Sequence, residues 1–243
     1  MSRGIAGGFI TNSLQSNPII PSVFQSFKNG IIVSCQATAG TAIDTPEFIA
    51  AQAKTVESAG ARAIRAQGIQ NVKEIFKVVS VPIIGLVKTF TEDSKVYITP
   101  LVEDVLALVE AGANIIAVDA TQRIRTGGLS LENFYEQVRS KTTIPLLADI
   151  DSYENGIHAF QLGFDAIATT LHGYTDFPSK ELPNIDLVNS LANEISIPII
   201  AEGGFASPEQ VKNAMKAGAW SVCVGTAITN PYLITQHFVQ EAF

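Results

Sequence analysis

The stretch "VPIIGLVKTF", residues 81–90, decides the fold. Five of the seven residues from Val81 to Val87 are Val, Ile or Leu, with no polar residue alternating between them. A strand apolar on both faces belongs to a buried parallel sheet. Directly after it comes Lys88, an ammonium group at the edge of a segment built to exclude water.

Working outward, the same kind of run recurs. "IPLLADI" and "IPIIAEG" also begin with proline, at 145 and 198. A second kind follows a small-residue turn: "AGARAIRA", "AGANIIAVDA", "LGFDAIATT" and "AGAWSVCVG", with glycines at 60, 112, 163 and 218. Those glycines are 52, 51 and 55 residues apart, close to two βα units. With "IIVSCQ" the chain has eight expected strands: 31–35, 62–66, 82–87, 114–118, 144–149, 165–169, 197–202 and 220–224. Between them lie helical patterns. Three open on the same device, a hydroxyl N-cap followed by proline: Thr45-Pro46, Thr99-Pro100 and Ser207-Pro208. Parallel strands alternating with helices define an α/β chain, and eight fit a (β/α)8 TIM barrel of the phosphate-binding type. A doubly wound open sheet is the alternative, but "SCQATAG" after the first strand is not its glycine fingerprint. The expected organisation is an N-terminal arm and leading helix over 1–30, the helix at 21–29, and one barrel domain over 31–243.

Composition narrows the function. The chain has 243 residues, 47% apolar and 16% charged, with a formal charge of −7 and no basic stripe. That argues against nucleic acid as a partner. No apolar run reaches the ~18 residues of a membrane span, and the first 20 residues lack a signal-peptide pattern. Cys35 and Cys223 lie far apart, so the expectation is a cytoplasmic protein with reduced thiols. The histidines 158, 172 and 237 do not cluster, so no metal site is expected. No dinucleotide signature is present either, and no cofactor is expected.

In a barrel, chemistry sits where strands end. Those ends carry Ser34, Cys35, Gln36, Arg65, Gln67, Lys88, Asp119, Asp149, Asp151, Thr169, Thr170, Glu202, Gly225 and Thr226. Each has a plainer reading. Lys88 can snorkel to solvent, Glu202 can form a structural ion pair, and Asp119 and Asp149 can cap the following helices. His158 reads as a solvated helix residue, the cysteines as packing groups, and His172 as a candidate for the cleft wall. The loops "AEGGFASPEQ" and "VGTAITNP" are more specific. Barrels bind phosphate with backbone N–H groups of loops seven and eight, here those of Gly203, Gly204, Gly225 and Thr226. A lysine leaving a low-dielectric wall has a lowered pKa and acts as base or Schiff-base nucleophile. The residues alone point to cofactor-free proton or carbonyl chemistry on a small phosphorylated substrate.

The segments "IIVSCQ", "AIRAQGI", "VPIIGLVK", "YITP", "TTLHGYT", "AEGG" and "VGTAIT" resemble, in order over residues 31–229, the N-acetylmannosamine-6-phosphate 2-epimerase family. The resemblance implies a phosphate-binding TIM barrel that interconverts N-acetylmannosamine 6-phosphate and N-acetylglucosamine 6-phosphate. It implies Lys88 and Glu202 as catalytic residues, and Gln36, Arg65, Asp149, Asp119 and Tyr174 on the substrate side. Barrels of this kind commonly form homodimers. The sequence departs from the family at His172, where serine is usual, at Thr126, where proline is usual, and at Asn230, where an arginine commonly helps hold phosphate. Asn230 is kept among the expected phosphate residues. A Schiff-base aldolase and a noncatalytic sugar-phosphate binder remain as rival readings.

Overall fold

The computed structural model describes residues 18–176 and 181–243. Most of the N-terminal arm, 1–17, lies outside the described residues. Eight parallel strands close in sequence order into one barrel: β1 (Ile31–Cys35), β2 (Ala63–Gln67), β3 (Ile83–Leu86), β4 (Ile115–Asp119), β5 (Leu146–Asp149), β6 (Ala166–Ala168), β7 (Ile199–Glu202) and β8 (Ser221–Val224). β1 pairs β8 through Ile32 and Cys223, which completes the ring. Around it run α2 (Pro46–Ser58), α3 (Ile69–Phe76), α4 (Val102–Glu110), α5 (Leu131–Lys141), α6 (Tyr153–Leu162), α7 (Ile185–Glu194) and α8 (Pro208–Lys216). The chain opens with the short α1 (Ser22–Gln25) and ends with α9 (Thr226–Thr229) and α10 (Pro231–Ala242). This is the expected (β/α)8 barrel, with every strand within a residue or two of its predicted place.

The prolines explain the strand starts. Pro82, Pro145 and Pro198 each stand one residue before a strand, and their carbonyls accept from Ile64, Ile116 and Ile167 of the neighbouring strands. At that position the ladder asks only for an acceptor, and proline has no N–H to waste. The four glycines of the repeat, Gly60, Gly112, Gly163 and Gly218, all hold φ between 100° and 105°, the left-handed turn that ends a helix.

Two apolar layers follow from strand alternation. Val33, Ile64, Ile83, Ile116 and Val222 pack outward against the helices. Ile32, Ile84, Ile115, Leu147, Ile200 and Cys223 fill the barrel interior. Phe24 and Phe27, both fully buried, close the floor, and Trp220 Nε1 donates to Phe24 O at 2.8 Å. The leading helix is shorter than the expected 21–29 because its residues serve as this plug and turn immediately into β1.

Two of the three cap devices hold. Thr45 accepts from Phe48 N, and Ser207 with Gln210 forms a capping box. Thr99 does not cap: α4 starts at Val102. Its hydroxyl instead donates to Ala117 O at 2.7 Å and accepts from Val87 N, pinning the end of β3 to β4 at a backbone φ of +44°. Asp119 and Asp149 cap nothing either; Ser130 and Ser152 cap α5 and α6.

Candidate active site

The C-terminal ends of the strands surround an open cavity of about 790 Å³. Alternation decides which side chains reach it. On β1, Cys35 packs outward, where burial pushes its thiol up to about 12, while Ser34 and Gln36 line the cavity. On β2 Arg65 and Gln67 point in, after β3 Lys88, and on β7 Glu202.

Arg65 is the hub. It is 3% exposed and grips the fully buried Asp149 with two hydrogen bonds, Nη1 to Oδ1 at 3.1 Å and Nη2 to Oδ2 at 2.6 Å. Its Nε lies 3.2 Å from Glu202 Oε1. Burial disfavours the cation, but Asp149 and then Glu202 outweigh it and the pKa is raised. A guanidinium has five N–H groups, so two remain for a ligand in the cavity. Thr170 donates to Asp149 Oδ1 at 2.7 Å and locks the carboxylate from its other side.

Lys88 and Glu202 are shifted toward each other. The Lys88 pKa is lowered, first by burial of the amine among the cavity walls and then by the Arg65 cation, with Glu202 and Asp149 opposing. Its side chain is exposed, yet that exposure is to the cavity it lines. Among the described residues the amine makes no hydrogen bond and no ion pair. Glu202 is raised: burial dominates, Arg65 pulls down, Asp149 pushes up, and Thr170 and Cys223 lower it again. Its Oε2 is buried and meets no hydrogen-bond partner among the described residues. An amine whose pKa is lowered stands with a carboxyl whose pKa is raised, the pattern of a proton-transfer pair.

Gly203, Gly204, Gly225 and Thr226 line the same cavity. Their N–H groups donate to no acceptor among the described residues. At Gly204 any side chain is excluded: φ is +73° and a Cβ would lie 2.5 Å from Leu182 Cβ.

Several expected residues stand elsewhere. Asp119 is fully buried and spoken for by Thr121 and by Arg123, whose Nη2 lies at 2.6 Å; it does not line the cavity. Asp149 does not line the cavity and reaches it through Arg65 and Thr170. Asn230 caps α10 by accepting from Leu233 N at 3.1 Å and pairs with Thr38, and it does not line the cavity. His172 is buried, with Nδ1 2.7 Å from Asp151 O, and lines a separate space of about 280 Å³ beside α6 and α7. His158 is not simply solvated, since Nε2 lies 3.0 Å from Glu132. Thr126 ties its loop to Asp93, its hydroxyl donating at 2.7 Å. Tyr174, as expected, lines the cavity. Sequence reasoning missed Tyr97 and the cavity-facing residues of α10, Leu233, Ile234, His237 and Phe238. Only the strand-end rule was available, and these come from a loop and a terminal helix. Among the described residues no set of three or more His, Cys, Asp and Glu side chains comes together to hold a metal, and no helix is long and apolar enough to cross a membrane.

Fold and site together define a (β/α)8 barrel whose mouth turns an amine and a carboxyl side chain onto one cavity. Residues 49–242 match the family profile described as "Putative N-acetylmannosamine-6-phosphate epimerase", and the chain belongs to that family. A curated relative named "Putative N-acetylmannosamine-6-phosphate 2-epimerase", from Caldanaerobacter subterraneus subsp. tengcongensis, is 46% identical over 219 residues, 89% of this chain and 92% of its own length. A relative of the same name from Clostridium perfringens strain SM101 is 40% identical over 213 residues, 87% of this chain and 96% of its own length. The solved structure of the N-acetylmannosamine-6-phosphate 2-epimerase from Clostridium perfringens superposes with a TM-score of 0.85 at 36% identity, covering 90% of this chain and 95% of that one.

Proposed function

We propose that this protein interconverts N-acetylmannosamine 6-phosphate and N-acetylglucosamine 6-phosphate by moving a proton at C2 of the ring-opened sugar. The observation that carries the reading is the pair of Lys88 and Glu202 in one cavity, unpaired with each other and shifted in opposite directions. Family membership supports the substrate.

The chemistry dictates what the site must supply. In the closed ring the C2 hydrogen is hardly acidic. Ring opening makes C1 an aldehyde and C2 acidic. Lys88, as the neutral amine, takes the C2 proton and becomes the ammonium. The electron pair moves into the C1–C2 bond and the carbonyl electrons onto O1. Gln36 and the two remaining N–H groups of Arg65 are the donors for that oxygen. Glu202, as the carboxylic acid, returns a proton to the opposite face of C2, and the O1 electrons reform the aldehyde with inverted C2. Asp149 holds Arg65 in place throughout. A single lysine serving both faces after the intermediate turns remains the alternative for the return step. The glycine loops, through the N–H groups of Gly203, Gly204, Gly225 and Thr226, hold the phosphate with neutral donors.

We also propose a homodimer in a reducing cytoplasm. No residue of α10 is buried, and Tyr232 and Val239, which do not line the cavity, are exposed on this helix. A second copy of the chain is the cover such a surface calls for. Both cysteines are free thiols.

The free amine of Lys88 also favours, as a second reading, a Schiff-base aldolase. The deciding experiment is an NMR time course with N-acetylmannosamine 6-phosphate in heavy water. Deuterium entering C2, with no borohydride-trapped adduct, supports the epimerase. An adduct on Lys88 supports the aldolase. Tight binding without C2 exchange leaves only a binder.

A further inference from the structure

We propose that Asp93 is a positioning residue for Lys88: its carboxylate latches the hairpin that carries Lys88 onto the loop after β4, and so keeps the amine inside the cavity. This rests on the reading in which Lys88 takes the C2 proton.

The segment between β3 and α4 is a two-stranded hairpin. Thr99 N donates to Val87 O at 2.8 Å, and Thr89 N donates to Tyr97 O at 2.9 Å. Lys88 pairs antiparallel with Ile98, and Thr91 with Ser94, which leaves Glu92 and Asp93 as the tip. Lys88 on one arm and Tyr97 on the other both line the cavity. Phe90 stacks on the Tyr97 ring, with centroids 5.3 Å apart and planes at 12°, so side chains also join the two arms. The base is fixed to β4: Asp119 N donates to Ile98 O at 3.0 Å, and the Thr99 hydroxyl donates to Ala117 O. A two-stranded ribbon is only marginally stable by itself in water, so its far end needs a hold of its own.

Contacts to neighbouring loops supply that hold, and they are unequal. The Lys95–Asp176 ion pair joins side chains that are 71% and 77% exposed, where such a pair contributes little. Ser94 Oγ donates a neutral hydrogen bond to Ile124 O at 2.8 Å. Asp93 accepts charged ones. The Thr126 hydroxyl lies 2.7 and 2.8 Å from its two carboxylate oxygens, and Gly127 N donates to Oδ2 at 3.0 Å. Hydrogen bonds to a charged group are about twice as strong as neutral ones, so Asp93 is the principal latch. The Thr126 hydroxyl first, and then the Gly127 N–H, hold its pKa down at about 2. The latch is therefore ionised throughout the neutral range, and a shift in the rate profile there reports another group.

That group is Lys88. The charges acting on its amine come from Arg65 on β2, Glu202 on β7 and Asp149 on β5, and the titratable Tyr97, Tyr174, Cys223 and His237 share the cavity wall. Burial, ahead of those charges, is what lowers its pKa. A freed tip lets the hairpin lift and water reach the amine. The ammonium form is then favoured, the pKa rises, and less free amine is present at neutral pH.

The test uses the full-length protein labelled with carbon-13 and nitrogen-15 at lysine, the Lys88 resonance being assigned with Lys88→Arg. Asp93→Ala should raise the Lys88 titration midpoint by about one pH unit, a fraction of the shift that full burial imposes. The acid limb of kcat should move up with it, so kcat falls about tenfold at a pH below both midpoints, while the Kd for inorganic phosphate stays as it is. Thr126→Val, which removes the hydroxyl at nearly constant volume, should shift the midpoint in the same direction, and Thr126→Ser should hold it in place. The double variant should shift no further than Asp93→Ala, because the Thr126 hydroxyl acts through that carboxylate. An unmoved Lys88 midpoint in Asp93→Ala overturns the proposal, as does a double variant whose shift is the sum of the two. Lys95→Ala should leave the midpoint alone; a shift as large as that of Asp93→Ala would take the latch away from Asp93. A midpoint that rises while the kcat limb stays in place leaves the latch standing and removes Lys88 from the role of base.

Discussion

Asp149→Asn tests the arrangement at its hinge. The carboxylate is fully buried and meets Arg65 through two charged hydrogen bonds, at 3.1 and 2.6 Å. The amide keeps the shape but loses the charge, and its NH2 group faces guanidinium N–H groups, donor against donor. Breaking a buried ion pair from one side costs roughly 3–5 kcal/mol. Glu202 still faces Arg65, so the lower end applies, about 3 kcal/mol. For a chain of this length that is a fall in Tm of about 6–12 °C by calorimetry at neutral pH. The pH profile gives an independent reading. Asp149 pushes both Glu202 and Lys88 upward in pKa. Without it, protons leave both groups more readily, so the acid limb and the alkaline limb of kcat should both move to lower pH. A Tm close to that of the unaltered protein, together with unmoved limbs, would refute the idea that Asp149 anchors Arg65 and sets the field at the mouth.

Three further outcomes are expected. Lys88→Ala should reduce C2 exchange by about 10²–10⁴-fold or more while leaving the thermal transition in place, since the amine makes no hydrogen bond or ion pair among the described residues; retained exchange removes Lys88 from the mechanism. Glu202→Gln should slow turnover on a similar scale, about 10²–10⁴-fold, with the Kd for inorganic phosphate unchanged; near-normal turnover would contradict its role. Gly204→Ala places a Cβ 2.5 Å from Leu182 Cβ at a φ of +73°, so KM for the sugar phosphate should rise by at least tenfold, read from initial rates, with the C2 exchange step itself intact at saturation. An unchanged KM would remove this loop from phosphate binding.

Much of the barrel could be read from sequence because the same physical demand recurs. Every strand is apolar on both faces, three begin after a proline that supplies only a carbonyl, and four follow a left-handed glycine. Lys88 and Glu202 were visible as charges at strand ends, where alternation turns them inward. What sequence could not show is who meets whom across the mouth. Asp119 and Asp149 occupy equivalent strand ends and are partners in register, yet one is taken by Arg123 from its own loop and the other by Arg65 from a distant strand. Asn230 and Thr99 looked like a ligand contact and a cap, but local backbone needs claimed the first and a neighbouring strand the second. Tyr97 and α10 reach the cavity through tertiary placement that no local pattern encodes.

The Arg65–Asp149 couple has a further consequence. Its charges cancel, and in the proposed reaction the working groups are a neutral amine and a neutral acid before the transfer and an ammonium and a carboxylate after it. A proton travelling between them by way of the sugar leaves the total charge at the mouth constant in either direction. No counter-ion has to enter or leave as the reaction proceeds. The chemical step should therefore be nearly indifferent to added salt, and the two directions of inversion meet the same electrostatic surroundings.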